Sequence, residues 1–171
     1  MKLIGILLIA AVGIWLGISA SLGLGKRVTA LSQAEKLVTS LRSRIRYTAA
    51  PVQELLMEAQ DSGEYPALRF LQYVCWSLKT AAIPDVQKLW EDSLKKADGA
   101  PGLNRQDIEL LTEFGRGLGT SDVEGQISHC ELYQELLQKQ METARQDVSS
   151  KGRLYVTLGI TGGLGLALLL L

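Results

Sequence analysis

Two uncharged apolar runs, residues 3–24 and 154–171, bound what this chain of 171 residues can fold into. A helix rises ~1.5 Å per residue and the hydrocarbon core of a bilayer is ~30 Å thick. The first run, 22 residues, spans that thickness comfortably, and the second, 18 residues, spans it with little to spare. Both are expected to be transmembrane helices, giving a span over residues 1–25, a domain over 26–153 and a span over 154–171. The middle segment has 128 residues, the size of one domain able to bury its own core. With Lys2 set aside it carries 17 basic residues against 18 acidic, which excludes the basic surface of a nucleic-acid binder.

Basic residues near the spans predict their orientation, because cytoplasmic flanks carry the excess of Lys and Arg. Lys26, Arg27, Arg42 and Arg44 follow the first run, against Lys2 before it, and Lys139, Arg145, Lys151 and Arg153 precede the second. The middle domain is therefore expected in the cytoplasm of a two-span cell-membrane protein. The rival is a cleavable secretory signal, imitated by Lys2, the apolar run and the small residues Ser19, Ala20 and Ser21. It would leave Lys151 and Arg153 on the wrong side of the membrane, and apolar residues continue past such a cut through Leu22 and Leu24.

Within the domain, Pro51, Pro66, Pro84 and Pro101 punctuate short helices, since proline is tolerated in a first helical turn but not in the interior. Leu31, Ala34, Val38, Leu41 and Ile45 mark the buried face of the first helix. A second runs over 52–60 and stops near Gly63. A third, opened by Pro66, carries Leu68, Leu71, Val74, Cys75 and Leu78. A fourth, opened by Pro84, carries Val86, Leu89, Trp90 and Leu94, with Lys95 and Lys96 in its last turn favouring the negative end of the dipole. Asn104 caps a fifth bearing Ile108, Leu111, Phe114 and Leu118. Gly115, Gly117 and Gly119 end it, and Ser121 with Glu124 forms a capping box for the sixth.

Along that sixth helix Val123, Ile127, Cys130, Gln134, Leu137, Met141, Ala144 and Val148 hold a mostly apolar stripe with no breaker before Gly152. If it continued into the second span, residues 122–171 would form a rod of ~75 Å at the helical rise. No stretch alternates with period two. The fold class is all-α: an antiparallel bundle of about six helices flanked by transmembrane helices.

The chemistry-bearing residues do not assemble a catalytic set. The glycines 115, 117 and 119 before Thr120 and Ser121 lack the preceding strand and the lysine of a nucleotide loop, so a turn between helices is expected. His129 is the sole histidine, and Cys130 beside it cannot share its helix face as a second metal ligand. Cys75 and Cys130 sit among apolar residues and read as buried thiols. Glu109 with Glu113, and Glu131 with Glu135, read as solvated faces. No enzyme activity, metal or cofactor is expected.

Arg42 and Arg46 share a face of the first helix, with Arg44 between them, and either meet an acidic partner or add to the positive flank. With Tyr47, Arg116 and Asp122 they make the candidate partner-binding set. Gly13 with Gly17, and Gly159 with Gly163, are small residues four apart, which would let the two spans pack on each other.

Several segments taken together resemble the stage III sporulation protein AB family of endospore-forming bacteria. They are Arg44-Ile45-Arg46-Tyr47, Pro51-Val52-Gln53-Glu54-Leu55, Gly117-Leu118-Gly119-Thr120-Ser121-Asp122 with Gln126, and the long final helix with Lys151, Leu158 and Gly159. The resemblance covers nearly the whole chain. It implies a cytoplasmic helical bundle similar to the inner-membrane F platform proteins of type II secretion and type IV pilus systems. It also implies a place in the mother-cell membrane, in the channel complex joining mother cell and forespore, with a secretion-type ATPase, stage III sporulation protein AA, as partner. Where the resemblance leads one to expect an acidic residue before the Ile-x-Tyr element, this chain has Arg44, so the family's charge pattern at a partner surface is not carried over. The resulting expectation is a non-enzymatic membrane platform that passes force or position to the membrane. The alternative is a two-span adaptor that only recruits a cytoplasmic partner.

Overall fold

A computed structural model describes the backbone of residues 2–48, 50–81, 85–96 and 101–169, and the side chains of 22–48, 50–81, 85–96 and 101–150 with Trp15, Thr157 and Thr161. Six helices follow in order: α1 Lys2–Thr48, α2 Val52–Asp61, α3 Arg69–Thr80, α4 Val86–Leu94, α5 Arg105–Gly117 and α6 Val123–Leu169. No strand occurs among the described residues. The chain divides into two units, one of Met1–Lys26 with Glu142–Leu171 and one of Arg27–Met141, and the second is the helical bundle.

Most of the periodic positions of the sequence are buried, while Leu89, Ile108, Met141 and Val148 are half-buried. Leu31, Ala34, Val38, Leu41 and Ile45 on α1, Leu55 and Leu56 on α2, and Phe70, Leu71, Val74 and Cys75 on α3 form the core with Leu111 and Phe114 of α5. Side-chain pairings run α1 and α6 antiparallel: Arg27 reaches Gln140, Glu35 is reached by Gln134 and Gln138, and Arg42 and Arg46 face Glu131. Helices α2 to α5 pack in sequence against their neighbours.

An aromatic chain crosses four helices. Phe70 and Phe114 meet Trp90 edge-on at 4.9 and 5.7 Å between ring centroids, and Phe114 lies parallel to His129 at 5.3 Å. The Trp90 indole rests on the backbone of α5, where its Nε1 donates to the Leu111 carbonyl at 2.8 Å. Only a glycine leaves room there, because a Cβ on Gly115 would overlap the indole ring. Gly117 makes the same allowance for the His129 ring. These glycines therefore lie inside α5 and at its last residue, as contact surfaces; the stop belongs to Gly119, whose φ of +72° suits a residue without a side chain.

The caps differ from expectation at one end and agree at another. Asn104 and Asp107 close a reciprocal capping box at the start of α5. The cap of α6 is Asp122, whose Oδ1 accepts from the Gly125 amide at 2.9 Å; Ser121 and Glu124 do not form the expected box. Asp85, just after Pro84, caps α4 through the Lys88 amide. Lys95 stands at the C-cap of α4 and pairs with Glu91 at 2.8 Å, while Lys96 lies over the Tyr73 ring. Val123, expected on the buried stripe of α6, is 40% exposed.

Candidate functional site

A groove of about 400 Å³ opens on the bundle where the starts of three helices converge. Pro51, Val52 and Gln53 come from α2, Asp85, Val86 and Gln87 from α4, and Ser121 and Val123 from the α5–α6 turn and the first turn of α6. Ile45, Val52, Val86 and Leu118 give it a buried apolar floor, and Gln53 and Gln87 offer side-chain amides at its wall. Two of the segments that carry the family resemblance, around Pro51 and around Leu118, meet here although some 65 residues separate them.

The second of these segments is a tight turn in which nearly every residue has a packing or hydrogen-bonding reason. Gln126, 4% exposed, is its clamp. Its Oε1 accepts from the Gly119 amide at 3.0 Å, and its Nε2 donates to the Gly117 carbonyl at 3.0 Å and to Ser121 Oγ at 2.9 Å. Gly125 has no Cβ because one would sit 2.6 Å from Ser121 Oγ. Sequence analysis named Gln126 with this segment through the family resemblance but gave it no role, since its partners Gly117, Gly119 and Ser121 are set by the path of the turn and not by a local pattern.

The expected partner-binding residues fall into three settings. Arg42 and Arg46 both approach Glu131 at 3.6 Å, and Arg44 pairs with Glu58, so the three arginines have acidic neighbours on their own bundle. Arg116 pairs with Glu113 at 2.6 Å and Glu91 at 3.4 Å, and Asp122 caps α6. Tyr47, 82% exposed, stands two residues from the groove-lining Ile45. Gly13, Gly17, Gly159 and Gly163 lie outside the residues whose side chains are described.

Among the described residues no group of His, Cys, Asp and Glu could hold a metal ion, and no helix is long and apolar enough to cross a membrane. Most side chains of the runs 3–24 and 154–171 lie outside those residues. His129 has a structural place: its Nε2–H donates to the Phe114 carbonyl at 2.8 Å. Cys75 and Cys130 are free and buried, and burial pushes each thiol up to about 11 against the weaker pull of Lys79 and Arg42. Because the thiolate is the reactive form, neither should be alkylated by iodoacetamide in the folded protein at about pH 8, and both should react once it is unfolded. Mass spectrometry of the two samples reads this directly, and rapid labelling of the folded chain would place a thiol at the surface.

The fold thus defines the class, an all-α bundle with a groove built from helix starts. The family model for stage III sporulation protein AB matches residues 2–171, and the chain belongs to that family. It is 25% identical over 171 residues to stage III sporulation protein AB of Bacillus subtilis (strain 168), covering all of this chain and 99% of the relative. A solved structure of a stage III sporulation protein AB superposes with a TM-score of 0.63 at 24% identity, covering 72% of this chain and 96% of that one, and shares the fold. Membership gives the chain a role in sporulation.

Proposed function

We propose that the chain is a membrane-anchored platform subunit of the channel between mother cell and forespore, its bundle in the mother-cell cytoplasm engaging a secretion-type ATPase similar to stage III sporulation protein AA. The observation that carries this reading is the extent of α6, a single helix from Val123 to Leu169 that takes in Gly152. The groove wall at its start and the apolar run at its end belong to one element. A helix resists bending where a Gly/Ser linker behaves as random coil, so such an element would pass a tilt of its start to its end. The basic flanks support the orientation. Exposed ion pairs such as Arg44 with Glu58 contribute only about 0–1 kcal/mol, so an acidic partner surface could exchange for them at little cost.

Inserting several Gly and Ser residues between Ser150 and Lys151 tests the coupling in an endospore former whose own family member is deleted. Spore formation should be abolished while the protein still fractionates with membranes. Wild-type spore yield would reject force transmission and leave the adaptor that only recruits.

A further inference from the structure

Arg27 combines full charge with burial. It is 8% exposed, and its Nε and Nη2 bind Asp107 at 2.7 and 3.0 Å in a bidentate pair. Asp107 is 0% exposed and also accepts the Asn104 amide at 3.0 Å, while Nη2 of Arg27 reaches Gln140 Oε1 at 3.2 Å. One guanidinium thereby joins α1, α5 and α6. Farther along the α1–α6 pair, Glu35 Oε1 receives Gln134 and Gln138 at 3.3 and 3.1 Å. Gln134 interrupts an otherwise apolar series on α6, Ile127, Cys130, Leu137 and Met141, and its own Oε1 is buried with no hydrogen-bond partner among the described residues.

The apolar positions on both helices alternate steps of three and four: Leu31, Ala34, Val38, Leu41 and Ile45 on α1, and the series through Gln134 on α6. A seam of this kind offers similar contacts after a slide of one heptad, so aliphatic packing alone selects register weakly. A polar group set into it lowers stability and excludes the alternatives, and register selection is the best-attested use of a buried ionic group.

We propose that Arg27, with Asp107 and Gln140, is a positioning device that admits α1 in one register and one rotation against α5 and α6. Its contribution is uniqueness of geometry and not net stability. The reading uses the bundle alone and does not depend on the cellular function.

The test uses the full chain in detergent micelles, with spin labels carried on ketone side chains at the exposed positions Tyr47 and Glu135, so that Cys75 and Cys130 take no part. The wild type should give one narrow distance population. Arg27→Met alone, which strands the Asp107 carboxylate, should lower the melting midpoint by about 10 °C. The double variant Arg27→Met/Asp107→Asn removes both charges while an amide oxygen can still accept from the Asn104 backbone, and it should melt within about 5 °C of wild type, yet show a second or broadened distance population. A double variant with the single narrow wild-type distance would overturn the proposal. One that melts as low as Arg27→Met would do so too, since the pair would then be an ordinary stabiliser.

Discussion

Trp90→Ala is expected to cost about 3–5 kcal/mol of unfolding free energy, a large share of the 5–15 kcal/mol that holds a typical domain together. The indole is fully buried, meets Phe70 and Phe114 edge-on, and donates to the Leu111 carbonyl across a face that Gly115 leaves open. Truncation removes the largest wholly buried side chain of the bundle and leaves a void bounded by α3, α4 and α5, which the two remaining rings are too well fixed to fill. Trp90→Phe keeps much of the apolar volume and loses chiefly the hydrogen bond, so it should cost about 1–2 kcal/mol. Chemical denaturation of the two variants against wild type measures both. A loss below about 1 kcal/mol for the alanine would mean that the core is not centred on this residue. The site should suffer as well, because α4 carries Asp85, Val86 and Gln87 to the groove and is anchored in the bundle by Trp90.

Local features were the readable ones. The face of α1 from Leu31 to Ile45, the stop at Gly63 and the cap at Asn104 each rest on residues within a few positions of one another, and all are present as expected. The failures involve partners distant in the chain or in competition. Arg27 looked like a flank charge because its partner, Asp107, lies 80 residues away. Ser121 and Glu124 match a capping pattern, but Gln126 claims the serine hydroxyl and the helix begins one residue later, so Asp122 becomes the cap. Gly115 and Gly117 carry two meanings in sequence, helix end or close approach, and only the positions of Trp90 and His129 select the second. The groove was invisible for the same reason: its lining is shared among three helix starts that share no local pattern.

Gln126→Leu separates the groove from the rest of the bundle. Leucine fills a similar volume, so no cavity opens, but the Gly119 amide, the Gly117 carbonyl and Ser121 Oγ all lose their common partner. A polar group left unsatisfied costs about 1–3 kcal/mol when buried, and here water can reach part of the turn, so a total of about 2 kcal/mol is expected. The turn that carries Leu118, Gly119 and Ser121 should loosen, and with it the groove wall. Ser121→Ala removes one of the three bonds and leaves the other two closing the turn, so it should cost well under half as much. If the groove is where the ATPase docks, Gln126→Leu should abolish both spore formation and co-purification with that ATPase, whereas Trp90→Phe, similar in stability loss, should retain them. Full spore formation by a Gln126→Leu protein that is measurably destabilised would show that the turn is architecture only, and would move the search for the docking face to Tyr47 and the arginines of α1.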